Sequence, residues 1–275
     1  MELIKRFLKV FFWAISNFKD FAFGIENAMY AKRGREYSQS WKYCNAEVQP
    51  GNGTKHKNQL RAYFDANTEG NGIFKVLHYF EIYERHFKKF VGKEVHIAEV
   101  GVYSGGSLKM WKSYFGDKCK IYGIDIIEEC KSYADENTTI FIGDQESRIF
   151  WQHFKKSVPR IDIFIDDGGH LAEQQIVTLE EILPFISPGG VYLCEDVSGS
   201  RLKLTAYMNG IQNELNHIEP HLADSVDLKT TPFQQQVYSI HQYPYVFVIE
   251  KQSEPINEFS AVKMGTIWNP ILPER

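Results

Sequence analysis

Between residues 95 and 194, short β-branched and aromatic runs alternate with helix-length segments, and this alternation constrains the fold more than any other feature. The runs are Val95–Val100, Lys120–Ile124, Thr139–Ile142, Ile161–Ile165 and Val191–Cys194. Ser107–Phe115, Gln145–Lys156 and Ala172–Ile186 separate most of them as helical segments. Strands linked in this way pair parallel, with helices covering both faces of the sheet. Two more strands are expected at Gln235–Ile240 and Tyr245–Glu250. Their link, His241-Gln242-Tyr243-Pro244, is too short for a crossover helix, so they form an antiparallel hairpin at one edge. The expected fold is α/β: a doubly wound, mainly parallel seven-stranded sheet with an antiparallel C-terminal hairpin.

The flanks read differently. Val76, Leu77, Phe80, Tyr83, Phe87 and Phe90 recur at helical spacing, which predicts a helix from about Ile73 to Val91. Residues 25 to 70 are polar and broken by the turn clusters Gln49–Gly53 and Thr68–Gly72, as in a linker or a loop-rich lid. At the N-terminus, Leu3, Ile4, Phe7, Leu8, Val10, Phe11, Ala14, Ile15 and Phe18 share one helical face. Lys5, Arg6, Lys9, Ser16, Asn17 and Asp20 lie opposite. Two readings of this N-terminal helical extension stand: docking on the main domain, or membrane-surface contact by residues 1–20 at the inner face of a membrane. Lys5, Arg6, Lys9 and Lys19 interrupt any run of the roughly 20 apolar residues a spanning helix needs. The expected layout is an amphipathic helix at 1–24, a linker or lid with a helix at 25–90, a catalytic domain at 91–251 and a tail at 252–275.

Composition sets outer bounds. With 43% hydrophobic and 15% aromatic residues, disorder is excluded as the main state. A net charge of −4 argues against nucleic acid as a partner. The four cysteines, Cys44, Cys119, Cys130 and Cys194, show no C-x-x-C spacing and fit a reducing cytoplasm. Self-association into a homo-oligomer is left open.

In an open α/β sheet, ligands bind at the carboxyl ends of the strands. The first exit, Glu99-Val100-Gly101-Val102-Tyr103-Ser104-Gly105-Gly106-Ser107, has glycines for a tight turn and Ser107 to cap the next helix. Tyr103 stands where the dinucleotide fingerprint has its second glycine. The second exit ends in Asp125, placed to receive both hydroxyls of a ribose; the third is Gly143-Asp144-Gln145, where an adenine amine fits. Either carboxylate can instead cap its helix. The fourth and fifth exits are Asp166-Asp167-Gly168-Gly169-His170 and Glu195-Asp196. Carboxylates at neighbouring strand ends repel one another unless a cation intervenes. Oxygen ligands in this number suit Mg²⁺ or Ca²⁺ better than zinc. An imidazole, with an ordinary pKa near about 6.5, is suited to general-base work beside such an ion.

Glu99-x-Gly101 with Gly105, Asp125, Asp144, the Asp166–His170 run and the Glu195-Asp196 pair resemble the class I S-adenosylmethionine-dependent methyltransferases. The match is to the metal-dependent sugar O-methyltransferases of the macrocin and mycinamicin type. It runs from about His78 to Lys251 and takes in Gly105–Trp111 and the closing Ser239-Ile240-His241, Tyr243-Pro244-Tyr245 and Ile249-Glu250-Lys251. The resemblance implies a Rossmann-like fold and two cofactors, S-adenosylmethionine and Mg²⁺ or another divalent cation. It implies Asp167, Glu195 and Asp196 as metal ligands, with His170 the base that deprotonates a sugar hydroxyl. Glu99 and Gly101 then flank the methionine part of the cofactor, with Ser104, Gly105 and Gln145 in the same cofactor-binding turns. Asp125 takes the ribose, Asp144 the adenine, and Asp166 the amino group. The expected acceptor is a sugar, on a bacterial surface glycan or a glycosylated metabolite. A catechol-type small-molecule O-methyltransferase, an NAD-dependent oxidoreductase and a non-catalytic binding module are the rival readings.

Overall fold

A computed structural model describes residues 18–41, 58–198, 202–217, 227–260, 262 and 264–265. The chain divides into two compact units, residues 1–54 and 55–275. In the first, the helix α1 spans Phe18–Gln39, and its polar and apolar residues show no sided distribution. The amphipathic segment read at Leu3–Phe18 lies outside the described residues but for Phe18, the first residue of α1. No helix among the described residues is long and apolar enough to cross a membrane.

The second unit begins with α2 (Gln59–Ala66), where Asn58 accepts a hydrogen bond from the Arg61 N–H at 2.9 Å and so caps the helix. It continues through α3 (Tyr79–Phe87), β1 (Val95–Val100), α4 (Gly106–Phe115), β2 (Cys119–Asp125) and β3 (Thr138–Ile142). Then follow α5 (Arg148–Ser157), β4 (Ile161–Asp166), α6 (Ala172–Ile182), β5 (Ile186–Cys194) and α7 (Leu202–Glu214). The last elements are β6 (Asp227–Lys229), β7 (Val237–Tyr243), β8 (Val246–Lys251) and β9 (Glu258–Ser260). Seven strands form one sheet in the order β3-β2-β1-β4-β5-β8-β7. The first five pair parallel, and β8 runs antiparallel to both β5 and β7. The expected sheet, with its hairpin at the edge, is therefore present. A small ribbon, β6 with β9, lies within the stretch read as partly tail.

Because side chains alternate across a strand, the sheet serves two cores. Val95, Ile97, Ile163, Ile165, Val191 and Leu193 meet α2, α3 and α4 on one face. Ala98, Val100, Phe164, Tyr192 and Cys194 meet α5, α6 and α7 on the other. Leu60, Tyr79, Phe80, Tyr83 and Phe87 are buried in the first core, so residues 59–66 and 79–87 pack into the body of the second unit.

The helix read at Ile73–Val91 is shorter. Its α-helical part is Tyr79–Phe87, one 3₁₀ turn extends it to Phe90, and residues 72–78 run as an irregular strap. Phe74, Val76 and Leu77 are exposed on the strap while Lys75 is buried. A buried ammonium needs carboxylate partners, and the strap delivers Lys75 to them.

α3 is tied to the hairpin by a polar cluster. His86 Nδ1 lies 3.2 Å from Glu250 Oε1, its Nε2 lies 2.9 Å from the Tyr243 hydroxyl, and Lys89 Nζ is 3.4 Å from Glu250. The His86 contact, helped by Lys89 and opposed by burial, holds the Glu250 carboxyl down at about 2. A carboxyl depressed in the folded state stabilises above its unfolded pKa and loses that contribution as pH falls. Glu250→Gln is therefore expected to cost about 1–2 kcal/mol at pH 7, a figure kept small by partial exposure. The difference from the unsubstituted chain should shrink as pH falls from about 4.5 towards 2, read by urea unfolding at several pH values. A difference independent of pH would contradict the assignment.

Candidate active site

The strand exits are stitched together beyond the strands themselves. The Gly143 N–H donates to Asp125 O at 2.9 Å, Gly101 to Ile124 O at 2.8 Å, Asp167 to Val100 O at 3.0 Å and Glu195 to Asp166 O at 2.9 Å. This brings the five predicted exits to one rim, around a cavity of about 600 Å³, within the range of small-molecule sites. Its walls include Gly101, Tyr103, Ser104, Asp125, Asp144, Gln145, Asp167, His170, Glu195, Asp196 and the strap residues Gly72–Val76.

At the β1 exit, Gly101 has φ +95°, and a Cβ there would lie 1.9 Å from the Asp167 carbonyl oxygen. Only glycine lets β1 and β4 leave the sheet side by side. Tyr103, standing in place of a fingerprint glycine, takes φ +48°, so the backbone keeps the left-handed conformation although the residue differs. Its N–H donates to Asp125 Oδ2 at 2.9 Å, and Asp125 Oδ1 accepts from the Ile127 N–H at 2.9 Å. Asp125 thus organises both turns at this end of the cavity. Asp144 accepts from the Glu146 N–H at 2.9 Å, whereas Ser147 caps α5. Gly105, with φ +72°, is the N-cap of α4, so Ser107 is not the cap expected. The Ser107 hydroxyl instead donates to Glu99 at 2.7 Å.

Strand parity decides where the carboxylates face. Glu99 and Glu195 follow Ile97 and Leu193 on the α3 side, whereas Asp166 follows Phe164 on the α5–α6 side. Glu99 and Asp166 are fully buried and lie beneath the cavity wall, not on it, and neither does Gly105 line it. Asp166 accepts from the Tyr192 hydroxyl at 3.0 Å and Gln145 Nε2 at 3.2 Å, and burial pushes its carboxyl up to about 7. Gln145 also receives the Gly169 N–H at 2.7 Å and so shapes the loop that carries His170.

On the α3 side, the Lys75 ammonium bonds Asp167, lies 2.9 Å from Glu195 Oε2 and 3.8 Å from Glu99 Oε1. Burial alone would push this lysine down, but Glu195, Asp167 and Glu99 carry it well above its ordinary value. Burial raises Glu99 and Glu195, and three carboxylates share the one ammonium. The Tyr83 hydroxyl donates to Glu195 Oε1 at 2.5 Å, and the Tyr79 hydroxyl to Asp196 Oδ1 at 2.7 Å.

Asp167, His170 and Asp196 each offer one donor atom, and these atoms lie within 4.8 Å of one another. His170 Nε2 is 3.5 Å from Asp196 Oδ2, and its Nδ1 is buried with no hydrogen-bond partner. His170 and Asp196 both have positive φ, +56° and +52°. Such backbones cost about 1–3 kcal/mol each and cluster at functional sites. The carboxylate oxygens of Asp167 and Asp196 suit a hard divalent cation, with the imidazole beside it. Glu195, the third ligand expected, borders the same cavity with both oxygens already engaged.

Lys75, Tyr79 and Tyr83 are the site residues that the sequence reading missed. They recur every four positions, but Tyr83 read as part of an apolar helix face, and Lys75 and Tyr79 carried no signal of their own.

Residues 98–197 match the family model described as a methyltransferase domain. The mycinamicin VI 2''-O-methyltransferase of Micromonospora griseorubida is 37% identical over 133 residues, covering 45% of this chain and 33% of that protein. The demethylmacrocin O-methyltransferase of Streptomyces fradiae is 37% identical over 130 residues, 44% and 32% of the two chains. The chain thus spans about a third of the length of these two relatives. Among solved structures, the MycE methyltransferase from the mycinamycin biosynthetic pathway, in complex with Mg and SAH, aligns with a TM-score of 0.57 at 25% identity. That alignment covers 70% of this chain and 54% of that one. Residues 98–197 are those of a methyltransferase domain, and the chain around them resembles the mycinamicin- and macrocin-type sugar O-methyltransferases.

Proposed function

We propose that the protein is an S-adenosylmethionine-dependent O-methyltransferase that methylates a sugar hydroxyl with the help of Mg²⁺. The observation that carries this reading is the convergence of Asp167, His170 and Asp196 at one end of a cavity whose walls also include Asp125 and Asp144. Bound there, the cofactor supplies an activated, positively charged methyl donor, and the metal supplies charge that acidifies a hydroxyl.

The chain's own residues do the rest. Asp125 takes the ribose hydroxyls through lone pairs its two backbone donors leave free. Asp144 receives the adenine amine, while Ser104, Gly101 and Gln145 line the space between. The acidic wall favours a cationic sulfonium. Glu99 and Asp166 act from beneath: Glu99 holds Ser107 and faces Lys75, and Asp166 holds Gln145. Asp167, Glu195 and Asp196 would hold the metal. His170 would take the hydroxyl proton as the oxygen–methyl bond forms and the sulfonium's sulfur–methyl bond breaks, the sulfur leaving as a neutral thioether.

The relatives named above are the mycinamicin VI 2''-O-methyltransferase and the demethylmacrocin O-methyltransferase, and a further relative, the 8-demethyl-8-alpha-L-rhamnosyl tetracenomycin-C 2'-O-methyltransferase of Streptomyces olivaceus, is 27% identical over 203 residues. These support a glycosyl acceptor, on a glycosylated metabolite or a surface glycan. The test is transfer of labelled methyl from S-adenosylmethionine to a panel of rhamnosides, macrolide glycosides and catechols, with Mg²⁺ or with EDTA. Labelled glycosides with Mg²⁺ and none with EDTA are expected. Labelling of catechols alone would move the protein to the catechol-type class, and transfer indifferent to EDTA would remove the metal.

A further inference from the structure

Away from the strand exits, a second group of donors closes where α3 meets the hairpin, and the methyl-transfer reading uses none of it. The pairing of β7 with β8 sets Ser239 opposite Glu250, and His241 follows Ser239 by two residues on the same face. α3 brings the buried His86 onto that face. One donor atom from each of His86, His241 and Glu250 falls within 4.8 Å of the other two. Glu250 has one oxygen 3.2 Å from His86 Nδ1 and the other 3.6 Å from His241 Nε2. Ligands held at about 2.0–2.1 Å around a tetrahedral ion stand about 3.3–3.4 Å apart, so little movement closes the three on one ion. The second nitrogen of His86 is already anchored, with Nε2 2.9 Å from the Tyr243 hydroxyl. A ring that donates through Nε2 presents its Nδ1 lone pair, and metal-bound imidazoles are oriented through their second nitrogen in this way. Ser239 Oγ lies 2.9 Å from His241 Nε2 and 3.3 Å from Glu250 Oε2, within reach of a water bound to such an ion. Two cations face the cluster: Lys89 Nζ is 3.4 Å from Glu250 Oε1, and Arg85 acts on His241 through its charge. Both side chains are exposed, so water screens them and Lys89 can swing away.

We propose that His86, His241 and Glu250 form a second metal site, suited to a transition ion such as Zn²⁺ and separate from the oxygen-rich cluster proposed for Mg²⁺. Two imidazoles and one carboxylate are the donor set of open zinc centres, whereas Mg²⁺ takes oxygen. In the metal-free chain Lys89 and an imidazole proton offset the Glu250 charge, and the ion takes their place. None of the three ligands lines the catalytic cavity, so the site stands whether or not the methyl-transfer reading does. The ion clamps α3 to the hairpin. α3 holds Asp196 through the Tyr79 hydroxyl, and the hairpin turn accepts the Val197 N–H at Tyr245 O, 2.9 Å away. The clamp therefore steadies the β5 exit from two sides.

The test is calorimetric titration of the full-length chain with Zn²⁺ in excess Mg²⁺, which fills the oxygen-rich cluster, together with the visible spectrum of the Co²⁺ form. One Zn²⁺ is expected to bind, and Co²⁺ to show the absorption of a four-coordinate nitrogen–oxygen site. His241→Ala, at a partly exposed position, should weaken Zn²⁺ at least about tenfold and remove that absorption. His241→Gln, which keeps the polarity of the strand, serves where alanine disturbs the hairpin. Asp167→Asn should leave Zn²⁺ affinity within about twofold, and Lys89→Met, which removes the competing ammonium, should tighten it several-fold. Absence of Zn²⁺ binding, or Zn²⁺ affinity unchanged by substitution of His241, would overturn the proposal. Loss of Zn²⁺ binding in Asp167→Asn would assign the ion to the catalytic cavity and overturn it equally.

Discussion

Replacing His170 with alanine is expected to lower kcat by roughly 10²–10⁴-fold while S-adenosylmethionine affinity stays within about twofold. The imidazole lies 3.5 Å from Asp196 and across from Asp167, at the metal end of the cavity, while Asp125 and Asp144 carry the nucleoside. Loss of a base at one end should leave cofactor binding at the other. His170 has φ +56°, so alanine retains backbone strain that asparagine tolerates better. His170→Asn should therefore keep the loop and lose the same activity. Steady-state methyl transfer and calorimetric titration with the cofactor read the two quantities separately. Full turnover in both variants would exclude His170 as the base.

The second large effect is structural. Gly101→Ala places a methyl group 1.9 Å from the Asp167 carbonyl oxygen, which is backbone and cannot rotate away. It also forces alanine to φ +95°. Strain of about 1–2 kcal/mol and overpacking of about 1–3 kcal/mol combine to about 3 kcal/mol. For a domain of this size the melting temperature should fall by roughly 6–12 °C. Because the displaced oxygen belongs to Asp167, Mg²⁺ binding should weaken as well. A variant that melts and binds metal like the unsubstituted chain would show that the β1 and β4 exits are not so tightly packed.

Much of this was legible in the sequence because strand burial leaves a compositional trace. Val95–Val100 and Ile161–Ile165 could hardly be read as anything but central strands, and their exits located the acidic residues before any coordinates. Parity was the harder part. Glu99 and Asp166 occupy neighbouring strand ends, yet the two-residue period turns them to opposite faces and under the cavity wall. Lys75 was hidden for a different reason. Ile73–Leu77 is apolar enough to pass for a helix start, and only the distant carboxylates Glu99, Asp167 and Glu195 make an extended strap the better solution. Tyr83 is both a core aromatic and a hydrogen-bond donor, and periodicity reports only the first of these roles.

The most direct test is a crystal structure of the full-length protein grown with S-adenosylhomocysteine and Mn²⁺, with the metal located by anomalous scattering. The nucleoside should lie between Asp125 and Asp144. The metal should sit on the Asp167, Glu195 and Asp196 carboxylates beside His170. A cofactor outside this cavity, or a metal bound away from Asp167 and Asp196, would contradict the account.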